Sequence, residues 1–214
     1  MKPFILVLSS PSGGGKTTIA RALLTARESL GFSISATTRP ARAGEKDGED
    51  YYFLTADEFV ERRERGEFLE WAEYSGNLYG TLEAEVDRVL DEGRIPVLDI
   101  EIEGAKQVRE RRSDVVSIFV LPPSATALVD RLVGRDRDNP DTKVLARLNR
   151  ALDEIEAASE YDYIVVNDER TEAVSEVASI IDSESRRPSR FSGLEESLGE
   201  LQSGIRSVIK AMEQ

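Results

Sequence analysis

The chain has 214 residues, 40% of them hydrophobic, with 28 basic against 41 acidic side chains and a formal charge of −13. That is a globular composition, and so anionic a body is a poor partner for nucleic acid or an anionic membrane. With no cysteine and no histidine, disulfides, thiol nucleophiles, a Ser-His-Asp triad and an imidazole shuttle are all excluded. The chemistry is left to carboxylates, Lys, Arg, hydroxyls, backbone amides and a hard metal ion.

Phe4–Leu8 is an unbroken apolar run, which predicts a strand buried on both faces. A Gly-rich turn follows, then a helix over Thr17–Arg27. Phe32–Ala36 reads as one short strand, Thr37–Asp50 as a polar, turn-rich segment, and Tyr51–Leu54 as a strand. Thr55 with Glu58 forms a capping box for a helix to about Arg65. Glu67–Tyr74 and Leu78–Gly80 are predicted strands joined by a turn at residues 75–77. Leu82–Asp91 is a predicted helix that Gly93 ends.

Strict alternation follows: strand Ile95–Ile100, helix Gly104–Arg112, strand Val115–Leu121, helix from the cap Ser124 to Val133. Asn139 and Pro140 then start a helix to about Ser159, before strand Tyr163–Val166 and helix Glu172–Ile181. Such alternation predicts an α/β fold, a parallel sheet flanked by helices, with a β-rich lobe inserted over residues 33–81. The core is expected over 1–32 and 82–185. From Ser183 the polar run Ser-Glu-Ser-Arg-Arg-Pro-Ser-Arg reads as a linker, so residues 186–214 are expected to be linker and helix. In Leu194–Met212 the residues Leu198, Leu201, Ile205, Val208, Ile209 and Met212 fall at helical spacing. That helix is expected to dock on the body or on a partner, self-docking being the simpler outcome. No apolar run is long enough to span a membrane and no secretory signal opens the sequence, so a cytoplasmic location is expected.

The sharpest chemical signal is Ser10-Pro11-Ser12-Gly13-Gly14-Gly15-Lys16-Thr17, a P-loop in which Ser10 stands where the first Gly usually stands. It lies between a buried strand and a helix, as the motif requires. Glycines let successive N–H groups converge on phosphate oxygens, and the helix N-terminus adds its dipole. Lys16 is placed to reach the β- and γ-phosphates and the Thr17 hydroxyl to ligate Mg²⁺. Asp99 ends a buried strand, where a carboxylate can hold Mg²⁺ through water or merely cap the next helix.

A second anion site is suggested by Arg39 and Arg42, two guanidiniums beside hydroxyls in an otherwise acidic chain. Tyr51 and Tyr79 offer phenol donors in the same lobe. The run Thr37-Thr38-Arg39-Pro40-Ala41-Arg42-Ala43-Gly44-Glu45-Lys46-Asp47-Gly48-Glu49-Asp50-Tyr51-Tyr52-Phe53 resembles the signature of guanylate kinases. The resemblance continues in Phe68-Leu69-Glu70-Trp71-Ala72, Asn77-Leu78-Tyr79-Gly80-Thr81, Asp99-Ile100-Glu101-Ile102-Glu103-Gly104-Ala105 and Asp162-Tyr163-Ile164-Val165-Val166-Asn167-Asp168. It covers about residues 4–185 in order.

The resemblance implies a P-loop NTPase-type core, a GMP-binding lobe over 33–81 and a lid at about 134–147. It implies phosphoryl transfer from ATP to GMP, and by extension dGMP, with Mg²⁺. It places Ser12, Gly13, Gly14, Gly15, Lys16, Thr17, Thr18 and Asn167 on ATP. Ser35, Arg39, Arg42, Tyr51 and Tyr79 would hold the GMP phosphate. Glu70 would accept from guanine N1–H and the 2-amino group, Thr81 would contact the base carbonyl, and Glu101 would face the 2-amino group. Arg131, Arg135 and Arg147 are the lid candidates for neutralising the transferring phosphoryl group, with Lys16. Two departures stand out: Glu101 replaces the Asp of many members, and Asp136 replaces a lid Gly in a segment about one residue longer, where Arg137 could substitute.

Because the acceptor would be a phosphate oxygen already ionised at pH 7, alignment and charge neutralisation suffice and no general base is required. Two other readings share this frame. One is a kinase acting on a ribose bisphosphate or another nucleotide, against which Glu70, Thr81 and Glu101 argue. The other is a non-catalytic module of the kind found in scaffold proteins, against which the intact Lys16 and Thr17 argue. A homo-oligomer is left open.

Overall fold

The structure, a computed structural model, describes residues 1–74, 76–135 and 140–213. In chain order its elements are β1 (Ile5–Ser9), α1 (Lys16–Ala26), β2 (Leu30–Phe32), β3 (Ser35–Thr37), β4 (Tyr52–Phe53), α2 (Ala56–Glu64), β5 (Phe68–Tyr74), β6 (Asn77–Leu82) and α3 (Glu83–Asp91). There follow β7 (Ile95–Asp99), α4 (Ile102–Arg111), β8 (Val115–Leu121), α5 (Ala125–Arg135), α6 (Pro140–Glu156), β9 (Tyr163–Val166), α7 (Arg170–Ser185) and α8 (Leu194–Met212).

β1 explains the core. Successive side chains of a strand point to opposite faces. Leu6 and Leu8 therefore pack with Ile19 and Leu23 of α1 and Val177 and Ile181 of α7. Ile5 and Val7 pack on the other face with Val86 of α3 and Ala105 and Val108 of α4. A strand covered on both faces needs apolar residues throughout. Each such side chain contributes ~1.5–3 kcal/mol relative to exposure, which makes β1 a rigid mount for the loop at its end. The five core strands run parallel in the order β2-β7-β1-β8-β9.

The second sheet has the order β4-β3-β6-β5, with β6 antiparallel to both β3 and β5. Its small core holds Ala36, Phe59, Phe68 and Leu82, with the Phe59 and Phe68 rings stacked at 4.3 Å. The Thr55–Glu58 capping box forms as expected. So does the Ser124 cap, whose hydroxyl accepts from the Ala127 N–H at 3.1 Å. The Asn139 cap lies outside the described residues.

Three expectations are corrected, the first being self-docking of α8: Leu194 is half-buried and the rest of Leu194–Met212 is exposed. Phe32–Ala36 is not one strand: Leu30–Phe32 joins the core sheet and Ser35–Thr37 the second sheet. The polar Ser33 lies between them, so the apolar pattern showed extended backbone but not the change of sheet. The stretch from Ser183 is not a linker either. α7 runs to Ser185, and Glu184 is buried where it accepts from Tyr163 at 2.5 Å and pairs with Arg187 and Arg190. Arg190 also lies over the Phe4 ring at 4.2 Å, and its carbonyl accepts from the Lys2 N–H at 2.7 Å. Charged residues that pair with one another can leave solvent, which a composition reading misses.

Candidate active site

The site lies at the carboxyl ends of β1 and β7, where open α/β sheets bind ligands. Residues 10–15 turn from β1 into α1, with Gly13 at φ 89° and Gly15 at φ 98°, backbone that side chains resist. A Cβ on Gly15 would also stand 2.3 Å from Asn167 Nδ2. Ser10 closes the turn in place of glycine: its hydroxyl donates to the Pro11 carbonyl at 3.0 Å, and the Gly14 N–H donates to the same oxygen at 2.8 Å. Asn167 Nδ2 donates to the Gly14 carbonyl at 2.8 Å, and Arg131 Nη2 to the Asn167 carbonyl at 2.8 Å. Both residues thus brace the cradle from behind.

Lys16 sits between two carboxylates, 3.0 Å from Asp99 Oδ1 and 3.0 Å from Glu101 Oε1, with its side chain only 13% exposed. Burial alone would lower its pKa. The charges of Asp99 and Glu101, with the hydrogen bond to Glu101, outweigh burial and raise it above the ordinary lysine value. Lys16 therefore stays an ammonium at any working pH. Asp99 Oδ1 is buried and meets Lys16 as an ion pair, yet receives no aligned hydrogen bond.

Glu70 presents the opposite case. It is 5% exposed on β5, next to the register shift against β6. Its Oε1 accepts from the Thr81 hydroxyl at 2.6 Å. Desolvation dominates, the Thr81 hydrogen bonds and Lys16 offset it only partly, Glu101 adds repulsion, and the carboxyl is pushed up to about 7. Gly104, in the first turn of α4, makes the packing possible, since a Cβ there would meet Glu70 Oε2 at 2.3 Å.

Arg39 holds Glu45 by two bonds of 2.9 Å, Nη1 to Oε2 and Nη2 to Oε1. Glu45 Oε2 also accepts from the Arg42 N–H at 2.7 Å, and these bonds hold its carboxyl below the usual range. The guanidinium lies 5.3 Å from the Tyr51 ring centre, and Tyr51 meets Tyr79 edge-on at 6.3 Å. A planar anion thus already rests on the Arg39 guanidinium and the Arg42 main-chain N–H.

One cavity of about 300 Å³ brings the cradle and the lobe together: Ser12, Gly13, Gly15, Lys16 and Thr17 face Ser35, Tyr51, Glu70 and Tyr79, with Asp99 and Glu101 between. A second, of about 540 Å³, shares Thr17, Tyr51, Tyr79 and Asp99 and adds Arg39, Arg42 and Glu45. A larger cavity of about 690 Å³ lies at the opposite ends of the strands, around Glu184 and Arg187, and holds none of these groups.

Gly14, Thr18, Thr81, Arg131, Arg147 and Asn167 do not line the first cavity among the described residues. Thr81 reaches it through Glu70. Gly14, Arg131 and Asn167 act on the cradle's backbone. Arg147 lies on α6, Arg135 ends α5, and Arg137 lies outside the described residues. Glu101 is engaged with Lys16.

Sequence reasoning missed Glu154, whose Oε2 accepts from the Ser12 N–H of the cradle at 2.9 Å. It also missed Gly104, Ala72 and Tyr74.

A glycine-rich strand-to-helix turn on a parallel sheet, facing a buried carboxylate across one cavity and sharing residues with a second that holds an arginine pair, defines a P-loop phosphotransferase fold. The sequence matches the guanylate kinase family over residues 1–184. It is 45% identical to a guanylate kinase of Thermotoga maritima over 190 residues, 89% of this chain and 91% of that one. It is 47% identical to a guanylate kinase of Nitrobacter winogradskyi over 199 residues, 92% and 90% of the two chains. The crystal structure of guanylate kinase from Anaplasma phagocytophilum superposes with a TM-score of 0.75 at 38% identity, covering 92% of this chain and 94% of that one. The chain belongs to the guanylate kinase family. No described helix is long and apolar enough to cross a membrane.

Proposed function

We infer that this chain carries the reaction of its family, transfer of the γ-phosphoryl group of ATP to GMP to give ADP and GDP. The observation that carries this reading is the shared cavity, with Lys16 and Thr17 on one wall and Glu70 on the other. ATP lays its phosphates in the cradle of residues 12–17. Lys16 leaves Glu101 for the β- and γ-phosphates, and the Ser12 N–H exchanges the Glu154 carboxylate for a phosphate oxygen. The GMP phosphate displaces Glu45 from Arg39 and Arg42, with Ser35, Tyr51 and Tyr79 completing the site. Glu70, ionised, accepts from guanine N1–H and the 2-amino group, and Thr81 fixes its rotamer. Adenine presents an acceptor at N1, so the same carboxylate rejects it by ~1–3 kcal/mol or more.

The residues present fit Mg²⁺. Asp99 Oδ1 is a buried oxygen without an aligned donor, and the Thr17 hydroxyl lines the same cavity. No cluster of three acidic ligands exists among the described residues, as suits an ion that keeps waters and takes the rest of its shell from substrate phosphates. Bound there with ATP, it would neutralise phosphate charge. Arg131, Arg135 and Arg147 come from the helices that flank the lid. They add positive charge as the lobe and lid close and exclude water. A cytosolic location suits a chain whose two substrates are soluble nucleotides.

The test is ADP formation from ATP and Mg²⁺ with GMP, AMP, CMP, UMP or ribose 1,5-bisphosphate as sole acceptor. Turnover with GMP, and far less with the others, is expected. Turnover with the ribose bisphosphate would discard the base-site reading. GMP binding without any turnover would leave a binding module.

A further inference from the structure

β5, the strand that carries Glu70, lies at the edge of its sheet and pairs with β6 on one side only. Its outer edge offers main-chain N–H and C=O groups that need partners from elsewhere. Where β5 passes α4, side chains of that helix take the place of a strand. Gln107 Oε1 accepts from the Trp71 N–H at 3.2 Å, and Gln107 Nε2 donates to the Trp71 carbonyl at 2.8 Å. Gln107 Nε2 also donates to the Glu103 carbonyl at 3.3 Å. These bonds leave the amide one orientation, nitrogen toward two carbonyls and oxygen toward the N–H. One turn further along α4, Arg111 Nη1 donates to the Phe68 carbonyl at 2.6 Å. One turn earlier, Gly104 faces the Glu70 carboxylate. Residues 104, 107 and 111 share one face of the helix.

Phe68 and Trp71 bracket Glu70, and the pairing with β6 shifts register between Phe68 and Glu70. Such an irregularity interrupts the ladder and re-aims a side chain. β6 alone therefore does not fix the direction of the Glu70 carboxylate, and the two clamps from α4 close on either side of the shift. A side-chain amide suits this task, because it carries a donor and an acceptor in the geometry of a peptide group. The helix that supplies the clamps is itself anchored. Ala105 and Val108 of α4 are buried with Ile5 and Val7 of β1 and with Leu69 of β5, whereas Phe68 belongs to the small core of the lobe. α4 also begins next to Glu101, which holds Lys16. One rigid helix thus spans from the lysine of the cradle to the strand that carries Glu70.

We propose that Gln107, assisted by Arg111, is a positioning residue for base recognition: it clamps the irregular stretch of β5 to α4 so that the Glu70 carboxylate meets the guanine edge. This inference rests on the base-reading role given to Glu70 above. Neither Gln107 nor Arg111 is among the residues that line the cavity, so both act through Glu70 and not on the nucleotide.

The test is steady-state kinetics at pH 8 with GMP or AMP as acceptor, on the natural chain, Gln107→Met, Arg111→Met, Glu70→Gln and the double variant Gln107→Met with Glu70→Gln. Methionine keeps the length of the glutamine side chain and removes its hydrogen bonds. For Gln107→Met the ratio of kcat/KM for GMP to that for AMP is expected to fall by ~10-fold, through a raised KM for GMP, with KM for ATP unchanged. In the Glu70→Gln background the same substitution is expected to change the ratio by less than ~2-fold, because its effect runs through Glu70. Arg111→Met, at an exposed position, is expected to lower the ratio by ~2–5-fold, and it keeps the test decisive if Gln107→Met does not fold. A natural ratio in the clamp variants, with a lost ratio in Glu70→Gln, would overturn this inference and leave Glu70 as the base reader. A natural ratio in Glu70→Gln would remove the base-site reading itself, and this inference with it. Equal rises in KM for GMP and ATP, or an undiminished effect of Gln107→Met in the Glu70→Gln background, would make Gln107 a general brace of the fold and overturn the inference as well.

Discussion

Lys16 and Glu70 line the same cavity, and both are charged groups nearly removed from water, yet their surroundings treat them oppositely. In the cradle, one buried cation faces two carboxylates, and its charge is held more firmly than in water. In the lobe, one buried carboxylate faces a hydroxyl, a distant ammonium and another carboxylate, and its charge is made costly. Burial alone does not decide the charge state; the count and sign of neighbours do. The difference suits the two tasks. A group that neutralises phosphate must always be charged, whereas a group that reads a base gains selectivity by being short of partners until the right donors arrive.

Removing the charged member of the cradle should give the largest effect. Lys16→Ala is expected to lower kcat at least ~10²–10³-fold while the far-ultraviolet circular dichroism stays native. Near-normal turnover would take Lys16 out of the chemistry and dissolve the contrast. Next, Gly104→Ala drives a methyl into Glu70 and should raise KM for GMP by ~10-fold or more with little change in KM for ATP. Equal changes in both would mean that α4, rather than the base pocket, had moved.

Glu70 also predicts a pH dependence. Its folded pKa of about 7 lies above its ordinary value of 4.5. Between those values the native state holds more protons than the unfolded chain, so the contribution of Glu70 to stability is full below about 4.5 and is lost as pH rises through about 7. Glu70→Gln should therefore stabilise the nucleotide-free protein at pH 8 by up to about 3 kcal/mol, and not at pH 4, in denaturant titrations. Binding has the opposite sign, since guanine needs the ionised form. KM for GMP should rise as pH falls below about 7, approaching ~10-fold per unit. Substrate ionisation is common to both proteins, so the difference between natural chain and Glu70→Gln isolates this residue. Parallel profiles would mean that Glu70 is ionised throughout. The smallest effect is expected for Glu45→Gln, which frees Arg39 and should lower KM for GMP by ~2–5-fold. A raised KM would make Glu45 an organiser of the lobe rather than an occupant of the phosphate site.

The legibility of these features in the sequence follows their range along the chain. The cradle is local: glycines, lysine and threonine within eight residues between a strand and a helix announce both shape and ligand. β1, β7 and β8 were legible because a doubly covered strand must be apolar throughout. The bond from Ser12 to Glu154 joins residues 142 apart, and nothing local to Glu154 distinguishes it from a solvated helix carboxylate. The same holds for Glu184, hidden in a run that reads as linker until Arg187, Arg190 and Tyr163 are seen around it. The split of residues 32–36 between two sheets was illegible because strand propensity describes a backbone and not its neighbour. α8 was legible as a helix, while its failure to dock on the body was not.

The most direct test is the ratio of kcat/KM for GMP to kcat/KM for AMP, measured with the natural chain and with Glu70→Gln at pH 8. A ratio that favours GMP strongly in the natural chain and falls by at least ~10-fold in the variant, with KM for ATP unchanged, is the predicted result. A variant that retains the natural ratio would contradict the assignment of base reading to Glu70, and with it the account of the cavity as a cradle facing a guanine site.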